Sequence, residues 1–129
     1  MYNTKFCKII HLTERQAILC EWKQFCKNDD YRNPLIYGQE LINEHNIDTW
    51  ITDTTNGFES AEADTKWLLE EFVPQMIASS VETIIFIMKK DSPLQSEIEG
   101  QVVALSEFFD VRVVEKKIHF YDDLKTRRV

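Results

Sequence analysis

The chain has 129 residues, 43% hydrophobic and 29% charged, which is the size of one domain and enough to bury a substantial core. A formal charge of -7 excludes ordinary nucleic-acid binding, because phosphate recognition needs a concentrated basic surface and the pairs Lys89-Lys90 and Arg127-Arg128 are too short to supply one. Three glycines without a GxGxxG or GxxxxGK[ST] string exclude the glycine-cradled nucleotide sites, and three cysteines without a CxxC pair read as free thiols, with neither a disulfide nor a metal.

Phe6 to Leu12 and Ala17 to Trp22 read as two strands joined by the polar turn Thr13 to Gln16. In the second, Ile18, Cys20 and Trp22 alternate with Leu19, Glu21 and Lys23, so the first set shares a face, and the short connection makes a hairpin. Cys20 is then a small core residue, and nothing beside Cys7, Cys20 or Cys26 in the sequence would activate a thiol. From Asp30 the period changes: Tyr31, Leu35, Gly38, Leu41 and Ile42 recur at helical spacing. Asp29 or Asp30 can cap this helix, and Pro34 is tolerated because first-turn N–H groups lack helical partners. Glu40 and Glu44 face solvent. His45 stands at the helix end, where the dipole favours a cation, and reads as a surface residue rather than a ligand.

Asp48 to Asp53 reads as a buried strand that opens into a polar loop feeding the next helix. Ser60 is the natural N-cap, Glu62 and Asp64 suit the first turn, and Leu68, Leu69, Phe72, Val73 and Met76 form the apolar stripe. Pro74 is expected to kink or end this helix. Glu70 and Glu71 are neighbours on it, do not share a face, and so do not form a catalytic pair. Thr83 to Met88 is a continuous apolar run, as in a central strand covered on both sides. Ser92-Pro93 starts another helix with Leu94, Ile98, Val102, Leu105 and Phe109 inward; Val111 to Val114 is a last strand, and Asp122-Asp123-Leu124 begins a short terminal helix.

This order predicts an α/β fold: a single domain over residues 1–129, a mostly parallel central sheet of about five strands, an N-terminal hairpin and flanking helices. No apolar run approaches the roughly 20 residues of a membrane span, and the first residues have no signal-like apolar core. The chain therefore reads as cytoplasmic, not as an integral membrane protein.

A resemblance rests on the stretch YRNPLIYGQELINEHNIDTWITD after Trp22, on Ser60, Trp67, Leu68, Glu71, Phe72 and Pro74, and on TIIFIMKKD and FFDVRVVE. Together these resemble the STAS-like, or anti-sigma-factor-antagonist-like, superfamily, and within it the bacterial branch related to CRAL-TRIO lipid-transfer domains. The resemblance implies a STAS-like fold and a regulatory, protein-binding role. Antagonist members carry a phosphorylatable hydroxyl in a D-S-[ST]-G motif after the matching strand. Here Asp53-Thr54-Thr55-Asn56-Gly57 has an extra residue before the glycine, threonine at both hydroxyl positions, and a helix that starts only near Ser60.

Three functional classes follow. The first is a non-catalytic interaction or regulatory module with an unidentified protein partner. The second is a binder of a small lipid-like molecule in the crevice at the carboxyl ends of the strands, lined by Asp53, Thr54, Thr55, Lys89, Lys90 and Ser92, with Ser60 the further phospho-acceptor candidate. An enzyme ranks last: no nucleophile stands beside a base in any recognisable motif, the three histidines have no evident meeting point, and no cofactor is implied. Self-association into a homodimer is compatible with the first two classes.

Overall fold

The computed structural model describes residues 2–57 and 60–115. Strand β1 (Tyr2–Asn3) pairs antiparallel with β2 (Cys7–Leu12), and β2 pairs antiparallel with β3 (Ala17–Trp22), from Cys7 opposite Trp22 to Leu12 opposite Ala17. The hairpin turns through a single 3-10 turn at Thr13–Arg15, closed by Gln16 in the left-handed region at φ 51°. Helix α1 (Asp29–His45) and strand β4 (Thr49–Asp53) follow. The next helical stretch has three parts: α2 (Glu62–Trp67), a π-helical turn (Leu68–Phe72) and α3 (Val73–Ile77). Strand β5 (Thr83–Ile87), helix α4 (Gln95–Leu105) and strand β6 (Asp110–Val114) complete the fold. The terminal helix anticipated at Asp122 lies outside the described residues. The sheet therefore has six strands rather than the five legible in the sequence, because β1 is too short to show a period.

Strands run in the order β1-β2-β3-β4-β5-β6, with β3 to β6 parallel. Each parallel crossover returns to the adjacent position in the same direction, so right-handed connections put every helix on one side. The packing agrees: Ile18, Trp22, Trp50, Ile84 and Phe86 of the sheet share one cluster with Leu35 and Ile42 of α1, Phe72, Met76 of α3, and Ile98 and Leu105 of α4. The opposite face carries Ala17, Leu19, Ile51, Ile85 and Ile87, a second buried cluster to which no described helix contributes. Both faces of β5 are thus dry, which accounts for its unbroken apolar run.

Two prolines are accommodated by specific devices. Pro34 is the sixth residue of α1, beyond the first turn, and cannot donate to the carbonyl of Asp30. The Cys26 thiol donates to that carbonyl instead, at 3.6 Å. Of the two outcomes expected at Pro74, a kink or an end, the helix does not end there. The π-helical turn precedes it, with the Val73 N–H donating to the Leu68 carbonyl five residues back, and α3 then continues to Ile77. Widening the turn just ahead of the proline ring gives the ring room.

Candidate binding site

The polar loop singled out in the sequence is largely spoken for by the fold. Thr54 is 2% exposed, and both its hydroxyl and its N–H donate to the Ile87 carbonyl, at 2.7 and 2.9 Å, tying the end of β4 to the end of β5. Asp53 is buried and accepts the Thr55 N–H at 2.9 Å, an Asx turn that leaves Thr55 exposed. Ser92 is also buried, and its hydroxyl accepts the Leu94 N–H at 3.1 Å. Lys89 and Lys90 are exposed, and among the described residues neither forms an ion pair with the β4 loop. Ser60 lies one residue before the actual N-cap position, Ala61, whose carbonyl accepts the N–H groups of Asp64 and Thr65. Its hydroxyl instead meets that of Thr65 at 2.6 Å. Burial pushes the Tyr31 phenol well above its usual range, partly offset by the Ser60 hydroxyl. A crevice in an open α/β sheet forms where the strand order reverses, and this order runs without reversal.

What the structure does bring together is an apolar trough on the helical side. Its floor is Trp50, Ile84 and Phe86, its walls are Phe72 and Val73 on one side and Leu105 on the other, and Leu69, Gln101 and Ala104 form its rim. The enclosed part holds about 50 Å³. It continues between the two helical stretches as a shallower channel of about 220 Å³ bordered by Ser60, Thr65, Leu69, Glu97, Gly100 and Ala104. The sequence explains why the channel stays open. Gly100 and Ala104 share one side of α4, and a Cβ at Gly100 would meet no atom within 4 Å. Across it Leu69, carried by the π-helical turn, is 47% exposed despite belonging to the apolar stripe. Such turns within helices are frequent where a binding surface is built.

The wall made by α2 is anchored by a contact the sequence did not reveal. Asp64 is fully buried, and its two oxygens accept the Asn28 N–H at 2.8 Å and the Arg32 Nε at 2.8 Å. Arg32 also lies over the Trp67 ring, 5.5 Å from its centroid. Asn28 is held at φ 55°, ψ -130°, a backbone conformation natural to glycine, and the Asp64 bond helps to fix it. The first-turn position of Asp64 suggested only a favourable interaction with the helix dipole.

Among the described residues the three thiols are buried and two of the imidazoles meet. Cys7 and Cys20 are buried with their Sγ atoms 3.7 Å apart. Burial, and then the contact with Cys7, push the Cys20 thiol well up, and burial pushes Cys26 up to about 11. Both are the opposite of activation. His11 and His45, which share no motif, do meet, with ring centroids 4.6 Å apart. Burial, then the neighbouring His45, hold His11 below its ordinary value. His119 lies outside the described residues. Among the described residues no group of three or more His, Cys, Asp or Glu side chains could hold a metal, and no helix is long and apolar enough to cross a membrane.

Fold and trough together define the class: an α/β protein with all its described helices on one side of the sheet and an apolar channel between two of them. Among known proteins, no family model, no curated protein and no solved structure matches the chain.

Proposed function

We propose that the chain is a non-catalytic, STAS-like interaction module that receives the apolar face of a basic amphipathic helix in the trough between the Leu69 turn and α4. The observation that carries this is the channel itself: an apolar floor, a rim of small residues at Gly100 and Ala104, and an exposed Leu69. Helix-in-groove recognition needs this combination of apolar floor and open sides. Charge decides the chemistry of the occupant. The flanking helices expose Glu62, Glu70, Glu71, Glu97 and Glu99 against the single exposed Lys66, so lysine or arginine on the polar face of the visiting helix would be complemented. In this trough a lipid-like ligand has weaker support, because its enclosed volume of about 50 Å³ is far below the roughly 300 Å³ of an ordinary small-molecule pocket.

Of the loop hydroxyls named from the sequence, only Ser60 borders the channel. A phosphate there would add close to two negative charges at its end, so Ser60→Asp is expected to tighten the grip on a basic helix. The test is fluorescence anisotropy with a labelled Leu/Lys amphipathic peptide, with a Leu/Glu peptide of the same pattern as control. Saturable binding of the first alone is expected, weakened about tenfold or more by Leu69→Gln or by Gly100→Phe, which fills the channel. Equal binding of both peptides, or variants that bind like the parent, would remove the proposal.

A further inference from the structure

The face of the sheet turned away from the helices is dry, although no described helix covers it. On it Ala17, Ile51 and Ile85 are 0% exposed and Ile87 1%. Thr49 and Thr83 share that face by alternation with Ile51 and Ile85 and are also buried, so the cover reaches the amino ends of β4 and β5. Side chains standing on a bare sheet keep their tips in water. An apolar face that runs from Ile10 and Leu12 of β2 to Val114 of β6 has to pack against a further layer.

Three observations choose the occupant. The chain leaves β6 at Val114, which packs against this cluster, so the residues after Glu115 begin at the margin of the face. Residues 116–129 reach about 20 Å even if wound as tightly as an α-helix, and the four strand spacings from β6 to β2 come to about 19 Å. Their chemistry is complementary as well. Ile118, Phe120, Tyr121 and Leu124 supply apolar surface, and five lysines and arginines stand against two aspartates, in a chain whose net charge is -7.

The rims of the face are acidic. Glu21 and Asp53 are neighbours in parallel register at the carboxyl rim, where Lys8, opposite Glu21, offers one positive charge to two carboxylates. Asp48 and Glu82 immediately precede β4 and β5 at the other rim. A basic segment crossing between these rims is held by charge as well as by burial.

We infer that residues 116–129 fold back from β6 and lie across this face as its second layer, with apolar side chains on Leu19, Ile51 and Ile85 and cations toward the acidic rims. The helix-binding trough lies on the other side of the sheet and plays no part in this contact.

The test is methyl NMR of the full chain. Nuclear Overhauser contacts are expected from the Ile118 and Leu124 methyls to those of Leu19, Ile51 and Ile85, and they should persist in full when labelled chains are diluted with an excess of unlabelled ones. Contacts that fade on dilution would give the face to a second copy. Contacts to Leu69 and Ala104 would put the segment in the helix-binding trough, and no contact at all would leave the face to another occupant; each of these results overturns the inference. A variant with Phe120→Ser and Leu124→Ser should raise the fluorescence of a hydrophobic dye several-fold while the Trp50 indole resonance, on the helical side, stays in place. Dye fluorescence equal to the parent's would also overturn it.

Discussion

Glycine-to-alanine substitution in the middle of a helix ordinarily stabilises by about 0.5 to 1 kcal/mol, through chain entropy and better helix propensity. This protein offers that substitution twice, in surroundings that give opposite signs. Gly100 in α4 has nothing within 4 Å of an added Cβ, so Gly100→Ala should realise the whole gain. At Gly38 in α1 the same atom would stand 2.5 Å from Trp50 Cη2 and 2.6 Å from Cζ3. The indole cannot retreat cheaply, because its Nε1 donates to Thr52 Oγ1 at 3.0 Å and its ring meets Phe72 edge-on at 5.6 Å. Relief needs a shift of close to an ångström in a 3%-exposed side chain. Overpacking of this kind costs about 1 to 3 kcal/mol and the propensity gain offsets at most about 1, so Gly38→Ala should lose up to about 2 kcal/mol net instead of gaining. Urea unfolding at constant m-value measures both. The decisive arm is a double-mutant cycle: with Trp50→Phe in place, which withdraws the clashing ring atoms, Gly38→Ala should become neutral or stabilising. If Gly38→Ala raises the midpoint as Gly100→Ala does, the close approach of α1 to Trp50 is wrong, and with it the floor assigned to the trough.

Other perturbations test other parts of the fold. Asp64→Ala strands the Asn28 N–H and releases Arg32, which at 32% exposure can partly re-solvate; a loss of about 3 kcal/mol is expected, with Asp64→Asn costing roughly half, and denaturation midpoints equal to the parent's would refute the anchor. Asn28→Gly relieves the positive φ and should add about 1 kcal/mol in the same assay, unless Asn28 sits without strain. Cys26→Ala leaves the Asp30 carbonyl without its thiol and should cost about 1 to 2 kcal/mol, an effect that should shrink if Pro34 is first replaced by alanine, which restores the N–H donor. His11 is depressed in the folded chain, so both states are neutral above the unfolded value of about 6.5, and below it the unfolded chain takes a proton that the folded one resists. Its contribution is present above that value and is lost as pH falls through the folded value; a His11→Gln variant should show a flatter profile there, and an identical profile would show that the contact with His45 is electrostatically idle.

The fold was legible wherever a period ran long enough to read. The alternation at Ile18, Cys20 and Trp22, the unbroken Thr83 to Ile87 run and the spacing of Ile98 and Leu105 each put the right side chains inside. Two things were not legible. A local rule fell short at Pro74, because the cost of a proline in a helix was read without the π-helical turn that absorbs it. Likewise Ser60 fits an N-cap by residue type, yet Ala61 takes the position and the Ser60 hydroxyl turns to Thr65. Long-range pairing was the other gap: Asp64 with Asn28 and Arg32, and His11 with His45, join positions whose local surroundings carry no mark of the partner. The candidate loop was found for its polarity, but polarity at Thr54 and Ser92 serves the backbone. The trough depends on what α4 lacks at Gly100 and Ala104, and absent side chains leave little pattern in a sequence.

The strand order, in which each strand lies beside its neighbours in the chain, also has a consequence for how the protein is made. Long-range docking is the slow part of folding, since loop-closure entropy is lost before any contact rewards it. Here β4 needs only the hairpin already in place, β5 needs only β4, and β6 only β5. Each successive unit can therefore dock as it leaves the ribosome, onto a sheet edge that already exists, and the open edge at any moment waits only for the next strand in the chain.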